Sequence, residues 1–126
     1  MKRIVFAFAG LVLALLATSD VRAQSGLPAG VTDAMIAEGQ QVFSGAGICT
    51  ACHGPDGSGT IGPDLTDAEW MIGDGEYESI VAQILEGVSA ADATNPLGAI
   101  MPPRGGAGIT DAQVRAVAAY VWKLSR

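Results

Sequence analysis

The stretch Cys49-Thr50-Ala51-Cys52-His53 decides how the rest of this chain is read. C-x-x-C-H is the pattern that attaches a c-type haem covalently. Two thiols on one short turn can reach the two vinyl groups on one edge of a porphyrin. The residue that follows then falls beneath the ring, where its imidazole can bind the iron axially. The chain has 126 residues, with two cysteines and one histidine, all in this pentapeptide. One haem is therefore the most it can hold by this route. Other readings compete. A thiol-redox C-x-x-C belongs in a βαβ context, which the downstream sequence does not offer. A structural zinc ion takes four ligands, and Cys49, Cys52 and His53 supply three. A zinc-deaminase C-x-x-C follows a separate H-x-E, and no histidine precedes Cys49.

The first segment reads as an address rather than as fold. Met1-Lys2-Arg3 is a positive start, Ile4 to Ala17 is an uncharged apolar run, and Thr18 to Ala23 is polar and ends Val21-Arg22-Ala23. This is the pattern of a secretory signal peptide over 1–23, with cleavage expected between Ala23 and Gln24. The alternative is an uncleaved membrane anchor, but the apolar run is shorter than the roughly 20 residues a spanning helix needs. No cysteine lies near the cleavage site, which excludes a lipid-modified N-terminus. The expected compartment is the bacterial periplasm, with no stable membrane insertion once the leader is gone. Thioether formation would consume both cysteines and leave no disulfide, despite the oxidising address.

From residue 24 onward twelve acidic and four basic side chains (Arg104, Arg115, Lys123 and Arg126) give a net charge of −8. That argues against nucleic acid and anionic membranes as partners and suits a basic patch on a partner protein. The alternative is a plain acidic soluble surface. A chain this short has a marginal core unaided, so a buried haem is expected to supply much of the missing apolar surface, and the apo-protein is expected to fold poorly.

Residues 24–31 read as a loose tail, and 32–126 as one domain. Thr32 or Asp33 can cap a helix over Asp33 to Ser44, with Met35, Ile36, Val42 and Phe43 as a partial apolar face. Gly45 to Gly47 end it. The Gly/Pro/Asp-rich stretch 54–64 supports no regular element; wrapping a flat cofactor at close backbone approach would order it. Leu65-Thr66-Asp67 is expected to start a short helical turn carrying Trp70 and Met71. Glu76 to Glu86 predicts a helix with Asp74 as a possible cap and an apolar stripe of Tyr77, Ile80, Val81, Ile84, Leu85 and Val88. A loop over 89–98 leads to Met101-Pro102-Pro103. Thr110-Asp111-Ala112-Gln113 is a capping box that opens a last helix, with Lys123 and Arg126 where its dipole favours cations.

With no second histidine, a thioether is the natural sixth iron ligand, and Met/His ligation raises the reduction potential. Met35 and Met71 lie on or beside apolar stretches and read as core filler. Met101 sits in an irregular segment followed by two prolines that stiffen the backbone, so it is the favoured ligand. The alternative is a loop-anchoring methionine, with iron five-coordinate or water-bound.

At this point the chain resembles the small monohaem class I cytochromes c. The residues that carry the resemblance are Cys49 to His53, Gly62-Pro63-Asp64-Leu65-Thr66-Asp67, Met101-Pro102-Pro103 and the final Ala118-Ala119-Tyr120-Val121. It implies an all-α cytochrome c-like fold of roughly four short helices around one haem c held by Cys49 and Cys52. The first and last helices would cross, with Phe43 and Tyr120 as plausible members of the contact. It implies His53 as proximal and Met101 as distal ligand, with the Pro63 carbonyl accepting a hydrogen bond from the His53 ring. It also implies attachment of the haem outside the cytoplasm and an electron carrier rather than an enzyme, docking transiently on redox proteins. Leu65-Thr66-Asp67 with Trp70 also looks like the haem domains of some terminal-oxidase subunits and of cytochromes paired with periplasmic dehydrogenases. A fixed subunit of such an enzyme is the alternative function. A haem enzyme or gas sensor with an open iron position is a weaker rival.

Overall fold

The computed structural model describes residues 26–126; the expected leader, 1–23, and its cleavage point lie outside them. Helix α1 spans Asp33–Ser44, α2 Thr50–His53, α3 Tyr77–Glu86 and α4 Asp111–Leu124, and a tight 3₁₀ turn covers Pro103–Gly106. Among the described residues there is no strand, only an isolated antiparallel bridge between Val88 and Met101. The fold is all-α, four short helices joined by long irregular segments.

The helix ends follow from local chemistry. The Thr32 hydroxyl accepts from Met35 N–H and starts α1. At α4 the capping box is complete: the Thr110 hydroxyl accepts from Gln113 N–H at 3.2 Å, and Gln113 Oε1 accepts from Thr110 N–H at 2.9 Å. These contacts satisfy amides that a helix start otherwise leaves without partners.

Helices α1 and α4 pack against each other and form the back of the molecule. Phe43, 1 % exposed, meets Tyr120 edge-on with ring centroids 5.4 Å apart, a geometry the ring quadrupoles favour. What lets the two helices come this close is a residue that sequence reasoning passed over. Gly39 is buried in α1, and a Cβ there would overlap the Ala116 carbonyl on α4. Helix α3 closes the third side, packing against α4, and the Tyr77 hydroxyl donates to the Arg115 carbonyl at 3.2 Å.

Three expectations fail in instructive ways. The Leu65 to Met71 stretch is not helical. Asp64 Oδ1 accepts from Thr66 N–H and Oγ1–H at 2.7 and 2.6 Å, and Asp67 Oδ1 accepts from Glu69 N–H at 3.0 Å. Such side-chain turns offer the backbone an alternative to the helix. Asp74 does the same one step before α3: it takes the Glu76 amide at 3.0 Å, so Glu76 occupies the cap position and the helix starts at Tyr77. The described part of the N-terminal tail is not loose. Val31 is buried, its N–H donates to the Pro28 carbonyl at 3.1 Å, and Leu27 packs on the core.

Two predictions follow from this packing. Gly39→Ala should gain about 1 kcal/mol of helix propensity in isolation, yet here it should lower holo-protein stability by about 1–3 kcal/mol through overpacking; denaturant unfolding followed by circular dichroism gives the sign directly. Hydrogen bonds from Thr66 hold the Asp64 carboxyl below the usual carboxylate range, with Ser58 doing so for Asp56 and the Glu76 amide for Asp74. A carboxylate depressed in the folded state contributes stability that is full above the unfolded value of about 3.9 and is lost as pH falls through the lower folded value. Asp64→Asn should therefore flatten the acid limb of the stability-versus-pH curve while leaving its slope near neutrality unchanged.

Candidate haem site

The packed helices leave a deep apolar cleft of about 1250 Å³, its open mouth included. Phe43 from α1, Ile80 and Ile84 from α3, and Val117 and Val121 from α4 form its floor. Cys49, Cys52 and His53 stand on one wall, and Met101 and Pro102 also line it. The five sequence-derived site residues thus face a single cavity, Pro63 among them.

The C-x-x-C-H run is shaped as the chemistry requires. Ile48, at φ 56°, turns the chain out of the α1 end and into α2. One turn of helix then carries Thr50 to His53 and brings both cysteines, half-buried, to the cleft. Burial pushes the Cys49 thiol up, with the nearby Cys52 adding to the effect against a lowering backbone hydrogen bond. Among the described residues no three His, Cys, Asp or Glu side chains converge to hold a metal ion, so the zinc alternative finds no geometry here.

The Gly-rich loop that follows is stitched onto the motif's own carbonyls. The His53 carbonyl accepts from Gly59 N–H at 2.8 Å. The Cys52 carbonyl accepts from Gly62 N–H at 2.8 Å and from Thr60 Oγ1–H at 2.7 Å. These bonds bring the Pro63 carbonyl to 3.0 Å from His53 Nδ1. A carbonyl can only accept, so this contact puts the ring proton on Nδ1 and leaves the Nε2 lone pair free for a metal. Gly62 is required at this approach, because a Cβ there would lie 2.9 Å from His53 Cε1.

Met101 is positioned by a separate device. Its N–H donates to the Val88 carbonyl at 3.0 Å, and its carbonyl accepts from Val88 N–H at 2.7 Å. Gly87 (φ 74°) ends α3, and a Cβ there would overlap the Met101 carbonyl. Upstream, the Asn95 side chain organises the loop, accepting from Leu97 and Ala99 N–H and donating to the Ala99 carbonyl. Downstream, Arg104 (φ 55°) donates to the Ile109 carbonyl at 2.9 Å and pairs with Asp111 at 2.6 Å. Sequence reasoning missed Gly87, Asn95 and Arg104. Gly87 ends a helix, while the other two act through contacts seven or fewer residues away in loops of no period.

The other two methionines separate. Met35 packs against the core as filler. Met71 does not: it is 49 % exposed and lines the cleft, because the segment expected to fold it inward is not a helix.

Fold and cleft together define a haem-binding protein of the all-α kind, its cofactor fixed by two thiols on one turn. The model of the family described as "Cytochrome c" matches residues 36–125, and the chain belongs to that family. The motif at Cys49 and Cys52 and this membership give it one covalently bound haem c. Among curated relatives it is similar to the cbb3-type cytochrome c oxidase subunit CcoP of Rhodobacter capsulatus, 37 % identical over 109 residues, covering 79 % of this chain and 32 % of that one. It is also similar to subunit FixPc of Rhizobium leguminosarum bv. viciae, 40 % identical over 79 residues, covering 61 % and 26 %. The chain thus spans about a third or less of the length of these relatives. Among solved structures, cytochrome cL of Methylophaga aminisulfidivorans matches with a TM-score of 0.53 at 21 % identity, over 72 % of this chain and 53 % of that one, a likeness of fold.

The crowding at Gly62 gives a prediction. Gly62→Ala should push the imbidazole off the Pro63 carbonyl, lower the yield of holo-protein and broaden the haem absorption of what remains. An unchanged spectrum at unchanged yield contradicts the close approach.

Proposed function

We propose that this chain is a periplasmic electron carrier whose iron is held by His53 and Met101, with Cys49 and Cys52 as the thioether residues and Pro63 orienting the proximal ring. The observation that carries the reading is the His53 Nδ1 to Pro63 carbonyl contact at 3.0 Å, which leaves Nε2 as a metal donor on the cleft that Met101 also lines. Bound haem supplies a one-electron Fe(III)/Fe(II) couple, and a thioether opposite imidazole favours the ferrous state. His53 and Met101 would hold the iron, and the apolar residues that α1, α3 and α4 bring to the cleft would shield it from water. Two protein ligands would leave no place for a substrate, which favours a carrier over a catalyst.

Charge supports the partner class. No Lys, Arg or His occurs between residues 54 and 103. The basic residues near the C-terminus neutralise Glu76, Glu78 and Asp111. Asp64 and Glu69, which line the cleft, are left for a partner with a basic patch. Docking of this kind is transient and salt-sensitive. No helix among the described residues is long and apolar enough to cross a membrane; the periplasmic address rests on the expected signal peptide over 1–23. The second reading, a subunit held in an oxidase or dehydrogenase, is favoured by the likeness to cbb3-type oxidase subunits. Co-purification with a larger enzyme separates it from a free carrier.

The test is Met101→Ala. The holo-variant should lose the weak far-red sulfur-to-iron band of the ferric spectrum, bind carbon monoxide rapidly when ferrous, and drop in potential by a fair part of the roughly 0.8 V range that axial ligands span. A wild-type spectrum would falsify the ligand assignment. Steering is checked apart from ligation: the electron-transfer rate with a basic redox protein should fall as the Debye length shrinks from about 30 Å to about 3 Å between 0.01 and 1 M salt, and a flat rate removes charge from the account.

A further inference from the structure

Three ion pairs join the described residues: Arg115 with Glu78, Arg126 with Glu76, and Arg104 with Asp111. The first two both reach the start of α3. Arg104 is the only one of these arginines that lines the cleft, three residues beyond Met101. Its backbone is strained. Arg104 and Ile48, at φ 55° and 56°, are the only non-glycine residues of positive φ among those described. A glycine at 104 would hold the same turn without strain, and glycines do fill the next two positions. What Arg104 adds is its side chain.

That side chain makes a fork. Nη1 donates to the Ile109 carbonyl at 2.9 Å, and Nη2 donates to Asp111 Oδ1 at 2.6 Å. Ile109 is buried, and Asp111 is the first residue of α4. The guanidinium thus grips the start of a helix that is packed on both α1 and α3. An exposed ion pair alone contributes little, but here one planar group takes a carboxylate and a backbone carbonyl together.

The same turn also touches the haem motif's side of the site. A Cβ on Gly105 would lie 3.2 Å from the Gly47 carbonyl, and Gly47 stands just before Ile48 and Cys49. The two strained residues therefore flank one seam, where the segment after Met101 lies on the segment before the motif. Strain that persists because surrounding contacts over-determine it is a mark of functional corners. Pro102 and Pro103 stiffen the run between the seam and Met101, and the Pro102 carbonyl accepts from Gly105 N–H at 2.9 Å. A displacement of Arg104 is passed along this short rod to the methionine.

We propose that Arg104 is a positioning residue that latches the distal ligand: by pinning the segment after Met101 to α4, across the seam with Gly47, it sets how slowly that methionine leaves the iron. The inference rests on Met101 being that ligand. With the latch removed, the Val88 bridge still returns Met101 to the cleft, so ligation at rest survives while its lifetime shortens.

The experiment is stopped-flow carbon monoxide binding to ferrous holo-protein at saturating gas, for wild type, Arg104→Gly, Arg115→Gln and Met101→Ala, with the ferric far-red band recorded for each. Carbon monoxide binds only after Met101 has left; one bond to iron breaks, one forms, and no electron moves. Arg104→Gly should raise the limiting rate about tenfold, the worth of one hydrogen bond to a charged group, and keep the far-red band. Arg115→Gln removes the ion pair between α4 and α3 and should leave the rate at the wild-type value. Where Arg104→Gly yields no holo-protein, Asp111→Asn opens one arm of the latch, keeps the Thr110–Gln113 cap, and carries the same measurement. A wild-type rate in the latch variant overturns the proposal, as does an equal rise in Arg115→Gln, which would mark a general loosening of α4. A wild-type protein that binds carbon monoxide as fast as Met101→Ala instead removes the ligand assignment itself, an outcome distinct from the failure of Arg104 alone.

Discussion

The structure depends on one hydrogen bond, from His53 Nδ1 to the Pro63 carbonyl. It settles the tautomer of the only histidine, and with it which nitrogen can face a metal. It exists because the chain after the motif doubles back and uses the Cys52 and His53 carbonyls as anchors. That return needs residues without side chains: a Cβ on Gly59 or Gly62 would run into the opposing chain. The glycine-rich composition that removes regular structure from 54–64 is thus what permits the loop to lie against the imidazole.

The two halves of the site are built by different means. The proximal half is local, with motif and loop adjacent in sequence and bonded through their backbones. The side that carries Met101, the proposed distal ligand, is brought in from far along the chain and is fixed by the Val88–Met101 bridge just past the end of α3. Between them the core supplies an apolar floor rather than ligands. Phe43, Val117 and Val121 belong both to that floor and to the packed core, so the cofactor and the helix packing share a surface. An apo-protein would lack contacts on one side of these residues, the physical ground for expecting a chain of this size to be less stable without its haem.

What the sequence made legible tracks how local each interaction is. The helices announced themselves through caps and apolar spacing: Thr32, the Thr110–Gln113 box and the stripe on α3 all sit where pattern put them. The C-x-x-C-H run was readable because chemistry ties residue type to spacing; Met101 was singled out by the two prolines that follow it, and the structure brings it to the same cleft. The stretch around Asp64, Asp67 and Asp74 was misread, because these short acids capture backbone amides two residues ahead and defeat the helical pattern of their neighbours. Met71 was misplaced for the same reason, its burial having been inferred from a helix that does not form. Gly39 and Gly87 were invisible as contacts, since the partners that demand a missing side chain, Ala116 and Met101, are distant in sequence.

The central claim is that the cleft holds iron between His53 and Met101. Proton NMR of the ferrous holo-protein tests it most directly, because a methionine bound to iron sits over the porphyrin and its methyl protons are displaced far upfield by the ring current. One such resonance, belonging to Met101, is the expected result. Its absence, or its assignment to Met71 or Met35, contradicts the account.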